Sequence, residues 1–218
     1  MKKDDSFLLQ GWRRQMVQLL KTKFDFDKNV LDAMEHVPRH LFVEKGMEQL
    51  SYQDRPLPIA AGQTISQPYT VAMQTQLLQV QPWIKVLEIG TGCGYQSAIL
   101  AEMGAKVFTI ERQKELFLQA KKTLLSLNYT VNSFLGDGYE GKPLLSPFDR
   151  IIITCGAPEV PDKLLTQLAV GGRMVVPVGE ITQTMTVVER LSENEYKTSV
   201  HGTYCFVPML MGVAATKS

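Results

Sequence analysis

One ten-residue stretch constrains this chain more than any other: Val86-Leu87-Glu88-Ile89-Gly90-Thr91-Gly92-Cys93-Gly94-Tyr95. Its apolar run, broken only by one acid, predicts a buried strand. The three alternating glycines predict a tight turn into a helix opened by Tyr95-Gln96-Ser97-Ala98. Glycine suits such a turn because a side chain would hold a ligand off the backbone, while the helix N-terminus offers unpaired N–H groups to the ligand's polar part. Strand, glycine turn and helix together predict a nucleotide site. The spacing departs from the dinucleotide pattern G-x-G-x-x-G, since Tyr95 stands where a third Rossmann glycine would be.

The sequence downstream extends this reading. Lys106 to Glu111 predicts a second strand, ending in an acid about 20 residues beyond the first glycine, where a carboxylate can accept hydrogen bonds from ribose hydroxyls. Val131 to Leu135 predicts a third strand closed by Gly136-Asp137-Gly138; an acid there can accept from an adenine amino group, and the glycines let the chain pass close to the ring. Phe148 to Thr154 is the most strand-like run, and its β-branched centre suits a central parallel strand. Glu88, Glu111, Asp137 and Thr154 all end strands, so four candidate contacts share one sheet edge. Between the strands lie a helix through Ile99 and Leu100 that ends near Gly104, and one from Gln113 to Leu127 with Leu116, Phe117, Ala120, Leu124 and Leu127 on its buried face. A further helix is expected over Val160 to Ala169, stopped by Gly171-Gly172, before strands at Arg173 to Val178 and Thr184 to Leu191. Alternating strands and helices imply an α/β fold, a doubly wound, mostly parallel sheet with its ligand at the strands' C-terminal ends.

The N-terminal part predicts two helices. The first runs from about Ser6 to Lys23 with Phe7, Leu8, Trp12, Leu19 and Leu20 as apolar members; the second is capped by Asp27, carries Val30, Leu31, Met34 and Val37, and stops at Pro38. His36 and His40 are four apart, but Pro38 breaks the helical face that would join them, so no metal site is expected. Tyr52 to Tyr69 contains three prolines and no sustained period, which marks it as a long binding loop. Pro68 opens a helix to about Gln79, which leaves Ser66 and Gln67 as either helix caps or site residues. Tyr196 to Met211 reads as a strand followed by a turn, with His201 a packing or surface histidine rather than a base.

At 218 residues, with 44% hydrophobic and 21% charged residues, the chain fits one globular domain: N-terminal helices and loop over 1–80, a nucleotide-binding core over 81–180 and C-terminal strands over 181–218. A net charge of +1 with interspersed signs argues against a nucleic-acid partner. Cys93, Cys155 and Cys205 are widely spaced and odd in number, which argues against disulfides and zinc and favours a reducing compartment. The first residues contain no apolar stretch of signal-peptide or membrane-span length, so a cytoplasmic location without membrane association is expected.

The motif E-I-G-x-G-x-G has the form found in S-adenosylmethionine (SAM) methyltransferases. Several stretches together resemble the protein-L-isoaspartate O-methyltransferase family: Val37-Pro38-Arg39-His40 with Phe42-Val43, Asp54 with Pro56 to Ile59, Gly62-Gln63-Thr64-Ile65-Ser66-Gln67-Pro68-Tyr69, the glycine turn, Thr109 to Arg112, Gly136-Asp137-Gly138, Pro147 to Ile152, Gly171-Gly172-Arg173, Pro177-Val178-Gly179 and Phe206-Val207-Pro208. G-Q-T-I-S-Q-P is specific to that family. The resemblance implies a Rossmann-like SAM-dependent methyltransferase fold, SAM as cofactor, S-adenosyl-L-homocysteine as product, and isoaspartyl proteins and peptides as substrates methylated on the α-carboxylate. It places Thr64, Ile65, Glu88, Gly90, Thr91, Gly92, Gly94, Tyr95, Glu111, Asp137, Gly138 and Thr154 at the cofactor, and Ser66 at the reacting centre. Asp54, Ser66, Phe206, Val207 and Pro208 fall on the substrate side. A monomer is expected, and the competing reading is a SAM-dependent methyltransferase of a small molecule or RNA. The chain departs from the family at Cys93, commonly serine, at Cys155-Gly156, commonly small alanines, at Lys142, frequently tryptophan, and over Met209 to Gly212.

Overall fold

A computed structural model describes residues 5–215. Helices α1 (Phe7–Lys23) and α2 (Lys28–His36) lead through short 3-10 turns to a hairpin of β1 (Leu57–Ile59) and β2 (Gln63–Ile65), then to α3 (Pro68–Leu78). Strands and helices then alternate: β3 (Lys85–Ile89), α4 (Tyr95–Glu102), β4 (Lys106–Glu111), α5 (Lys114–Ser126), β5 (Val131–Leu135), β6 (Phe148–Ile153), α6 (Asp162–Leu165) and β7 (Leu168–Val178). Strands β8 (Gln183–Arg190) and β9 (Tyr196–Tyr204) follow. The large sheet has the order β5-β4-β3-β6-β7-β8-β9; its first five strands are parallel and the last two antiparallel.

This is the doubly wound α/β arrangement expected from the strand–helix alternation. The strand order reverses at β3, which pairs with β4 on one side and β6 on the other, so the connections leaving β3 and β6 diverge and open a crevice at the sheet's C-terminal edge. The central strands are unbroken apolar runs because helices cover both their faces. Val86, Leu87, Ile151, Ile152 and Ile153 are 0% exposed, and each such side chain contributes on the order of 1.5–3 kcal/mol through burial. Among the described residues no helix is long and apolar enough to cross a membrane.

Three local expectations differ from what is observed. In α1 the buried face is Arg13, Met16, Val17 and Leu20, while Phe7, Leu8 and Leu19 are exposed and Trp12 is half-buried. Arg13 can lie on the inner face because Asp5 (3.0 Å) and the Tyr52 hydroxyl (3.3 Å) accept from its guanidinium. The Tyr52 to Tyr69 segment is not structureless, for Leu57, Pro58 and Ile59 pair with Ile65, Thr64 and Gln63. Three residues per strand are too few to show a period, and Leu57, Ile59 and Ile65 are buried.

The helix expected over Val160 to Ala169 is a single turn, Asp162–Leu165. Gln167 ends it by donating to the carbonyls of Glu140 and Lys163 (both 2.9 Å), and Leu168 already pairs with Phe148. Gly171-Gly172 is therefore not a helix stop but part of a bulge within β7, where the register shifts between Phe148 and Arg150.

Candidate active site

The glycine turn connects β3 to α4 through conformations that glycine adopts freely, with φ of +94° at Gly90, +55° at Gly92 and +92° at Gly94. Gly94 is the N-cap of α4, so no side chain occupies the N–H groups that open the helix. The turn is tied down on two sides. Gly90 N–H donates to the Ile110 carbonyl (2.9 Å) and Gly92 N–H to Glu111 Oε2 (2.8 Å), which fixes the turn to the end of β4. Thr154, just past β6, donates its hydroxyl to the Gly90 carbonyl (2.6 Å). Thr91 and Thr109 share a hydroxyl–hydroxyl bond of 2.7 Å beneath it.

The crevice above this turn holds about 910 Å³, open mouth included. Ile89, Ile110, Met209 and Leu210 supply apolar wall, while Glu111, Gln74 and Gln96 are among its polar groups. Glu111 also accepts from Gln113 N–H (2.8 Å) through Oε1, yet each carboxylate oxygen keeps lone pairs for a ligand. Burial raises its pKa above the ordinary carboxylate value, against the pull of the Gln113 and Gly92 N–H groups. Gln96 donates to Thr75 Oγ1 (3.0 Å), but its own Oε1 is buried without a partner, an acceptor held ready at the wall. At Gly138 an added Cβ would lie 2.4 Å from Ile89 Cγ2, so only glycine lets that turn lie flush against β3.

A second cavity adjoins the first. Thr64, Ser66, Thr154 and Val207 line both, and the second groove continues along Gln67, Tyr69, Thr182, Tyr204 and Phe206. Ser66 thus stands where crevice and groove meet. Its hydroxyl is not a helix cap: α3 begins after Gln67 without a side-chain cap, and Asp54 Oδ1 accepts from Tyr69 N–H (2.8 Å) instead. The Phe206 to Met209 segment is held beside Thr154 by two backbone bonds with Gly156, one to the Val207 carbonyl (2.8 Å) and one from Met209 N–H (2.7 Å).

Of the residues singled out in the sequence, Thr64, Ile65, Ser66, Gly90, Thr91, Gly92, Tyr95, Glu111, Gly138, Thr154, Val207 and Pro208 come together on the crevice wall, and Phe206 on the groove. Four lie elsewhere. Gly94 packs against Ala120 and Leu124 of α5. Asp54 ties α1 to the start of α3 through an ion pair with Lys23 and its bond to Tyr69, outside both cavities. Asp137 accepts from Tyr139 N–H (2.9 Å) and from Gly212 N–H (2.7 Å), which fastens the C-terminal segment rather than opening toward the crevice.

Glu88 is the fourth. Strand alternation turns it away from Leu87 and Ile89 and toward α4, where it is 0% exposed and accepts from the Ser97 hydroxyl, with Oε1 left unpartnered. Burial pushes its pKa up to about 7, against the opposing bonds from Ser97 and Thr109. A carboxyl with a raised folded-state pKa stabilises the fold fully below its unfolded value, and that contribution is lost as pH rises through 7. Glu88→Gln should therefore match the wild type near pH 4.5 and exceed its stability at pH 8, by on the order of 2–3 kcal/mol. Thermal unfolding at the two pH values checks this; a variant no more stable at pH 8 would show that the buried carboxyl carries no such penalty.

Gln74, Gln96, Ile110, Arg112, Gln113 and Leu210 also line the crevice wall, although the sequence did not single them out as site residues. Ile110 to Gln113 flank an acid already singled out, and Gln96 follows the glycine turn directly; Gln74 and Leu210 carry no local motif. Cys93 and Cys155 also line the crevice, but burial pushes their thiols up to about 11 and about 12, so neither is a thiolate nucleophile at neutral pH. His201 is exposed on β9 and bonded to Ser199 (2.9 Å), away from the crevice.

A crevice at the switch point of a doubly wound sheet, floored by a three-glycine turn and bordered by an acid at the end of the neighbouring strand, defines a nucleotide-cofactor protein of the α/β class. The comparisons with known proteins narrow this. The family model of protein-L-isoaspartate(D-aspartate) O-methyltransferase (PCMT) matches residues 12–214. The protein-L-isoaspartate O-methyltransferases of Christiangramia forsetii and Flavobacterium johnsoniae are 51% and 50% identical, covering 94% and 92% of this chain and 97% and 95% of their own. A solved protein-L-isoaspartate O-methyltransferase superposes with a TM-score of 0.82 at 27% identity, over 90% of this chain and 65% of that one. The PCMT from Plasmodium falciparum, solved in complex with S-adenosyl-L-homocysteine, gives 0.80 at 25% identity, over 91% and 98%. The chain belongs to the protein-L-isoaspartate O-methyltransferase family.

Proposed function

We propose that this protein is a repair enzyme that transfers the methyl group of S-adenosylmethionine to the α-carboxylate of L-isoaspartyl residues in damaged proteins and peptides. The observation that carries the reading is the position of Ser66 at the junction of the crevice beside the glycine turn and a groove lined by the end of β9. The crevice suits the cofactor. Glu111 retains acceptor sites for ribose hydroxyls, Gln96 Oε1 is an unpartnered acceptor suited to a cationic amine, and Ile89, Ile110 and Gly138 form an apolar slot for a flat base.

When bound there, S-adenosylmethionine supplies a methyl group on a positively charged sulfur; the rest falls to residues of this chain. An isoaspartyl α-carboxylate titrates near pH ~4, so it arrives ionised and needs no general base. What the chain must contribute is alignment, which is worth roughly 7 kcal/mol or more when two reactants are held in line. In this reading the Ser66 hydroxyl, which makes no hydrogen bond among the described residues, donates to one carboxylate oxygen and fixes its direction. Phe206 and Val207 border the groove that holds the substrate backbone in extended form, and Pro208 continues onto the crevice wall. Thr64 and Ile65 of the β1–β2 hairpin border the crevice, and water kept from that side favours a transition state in which opposite charges cancel. The free thiols of Cys93, Cys155 and Cys205 support a reducing, cytoplasmic setting.

The test is methyl transfer from labelled S-adenosylmethionine to paired peptides that differ only in an aspartyl or isoaspartyl linkage, with the product recovered as a base-labile ester.

A further inference from the structure

Arg39, in the turn after α2, is fully enclosed at 0% exposure. Its Nε donates to the Ser51 carbonyl and its Nη2 to the Ser66 carbonyl, both at 2.7 Å. The guanidinium lies over the Tyr95 ring, 4.8 Å from the centroid, with the neutral Tyr95 hydroxyl as its polar neighbour, and Nη1 makes no hydrogen bond of ordinary geometry. Both carbonyl acceptors are neutral, and among the described residues no carboxylate lies within ion-pair distance. The chain's other buried arginine is treated differently, for Arg13 is paired with Asp5. A buried cation without a counter-ion is unfavourable unless something else supplies the negative charge. This one is a single hydrogen bond from the residue at the junction of crevice and groove.

We infer that Arg39 is a positioning residue that clamps the Ser66 turn between β2 and α3 and whose unmatched charge makes the acceptor site prefer an ionised carboxylate to a neutral group of the same shape. The inference rests on the isoaspartyl reading, in which the substrate brings the missing anion. Arginine is suited to both tasks, because its rigid fork bridges two carbonyls while a lysine ammonium reaches only one. The neighbouring network holds it in place: His40 Nδ1 and the Tyr52 hydroxyl are 2.7 Å apart, and Ser51, whose carbonyl Arg39 grips, directly precedes Tyr52.

The experiment measures binding of two peptides to the enzyme saturated with S-adenosylhomocysteine: an isoaspartyl peptide and its α-carboxamide counterpart, isosteric but neutral. Wild type should prefer the carboxylate by about thirtyfold, the effect of one poorly screened charge behind the Ser66 turn. In Arg39→Met the preference should fall to within about threefold of unity. Arg39→Lys should keep most of the preference while its kcat drops about tenfold, because the charge remains and the fork does not. Both variants should bind S-adenosylhomocysteine like wild type. An undiminished preference in Arg39→Met, or its complete loss in Arg39→Lys, would overturn the inference; if Arg39→Met does not fold, Arg39→Lys decides alone. Wild-type enzyme that binds neither peptide would instead overturn the isoaspartyl reading, and the inference with it.

Discussion

Replacing Ser66 by alanine should lower kcat toward an isoaspartyl peptide about a hundredfold, the usual cost of losing one oriented donor at a reacting centre. The affinity for S-adenosylhomocysteine should stay within about twofold, because the cofactor crevice is built mainly by other residues. This split follows from the geometry. Ser66 is shared by both cavities, its hydroxyl has no structural duty, and the helix cap it was suited to provide comes from Asp54. The fold should tolerate the change, since the anchoring bond from Arg39 goes to the Ser66 backbone carbonyl, which alanine retains. Steady-state kinetics together with calorimetric titration make the measurement. A variant as active as wild type would remove Ser66 from the chemistry, and one that lost S-adenosylhomocysteine binding would make it a cofactor residue.

Gly90→Ala should act on the other ligand. Alanine at φ +94° is strained by roughly 1–2 kcal/mol, and its Cβ would lie 2.6 Å from Thr154 Oγ1, the atom that donates to the Gly90 carbonyl. Relieving that contact means moving the turn or giving up the bond that fixes it to β6, and either change displaces the N–H groups at the start of α4. The expected result is a loss of S-adenosylhomocysteine affinity of about a hundredfold or more, equivalent to roughly 3 kcal/mol. Gly171→Ala is the control. It also has a left-handed φ, +77°, but an added Cβ there meets nothing within 4 Å, and the position is remote from the crevice wall. It should cost about 1 kcal/mol of stability with affinity unchanged. Equal affinity losses in the two variants would show that general destabilisation, not the geometry of the turn, is being measured.

The central sheet was legible because the requirements on buried parallel strands are severe. Ile151 to Ile153 must be apolar on both faces, and an acid at the end of β4 must fall a fixed interval after Gly90 for the two strand ends to meet. Direction and distance were less legible. Glu88 is two residues from Gly90, yet strand alternation aims it into α4 rather than the crevice, and a residue list alone does not weigh that. Asp137 stands at the right strand end, but its carboxylate is held by Gly212, 75 residues away, a partner with no local signature. Asp54 likewise meets Lys23 and Tyr69 through tertiary contacts. The pair Gly171-Gly172 suits a helix stop as well as a strand bulge, and the choice between them was made by Leu168 pairing with Phe148. The contribution of Arg39 was the least visible. It lies within a recognisable run, but the lack of a carboxylate partner among the described residues is a property of the packed chain.

The most direct measurement is the initial rate of methyl incorporation at pH 7 with two peptides of identical composition, one with a normal aspartyl bond and one with the isoaspartyl bond. Base-labile methyl ester is expected on the isoaspartyl peptide and none above background on its partner. Equal labelling of the two, or labelling of neither by protein that demonstrably binds S-adenosylhomocysteine, would contradict it.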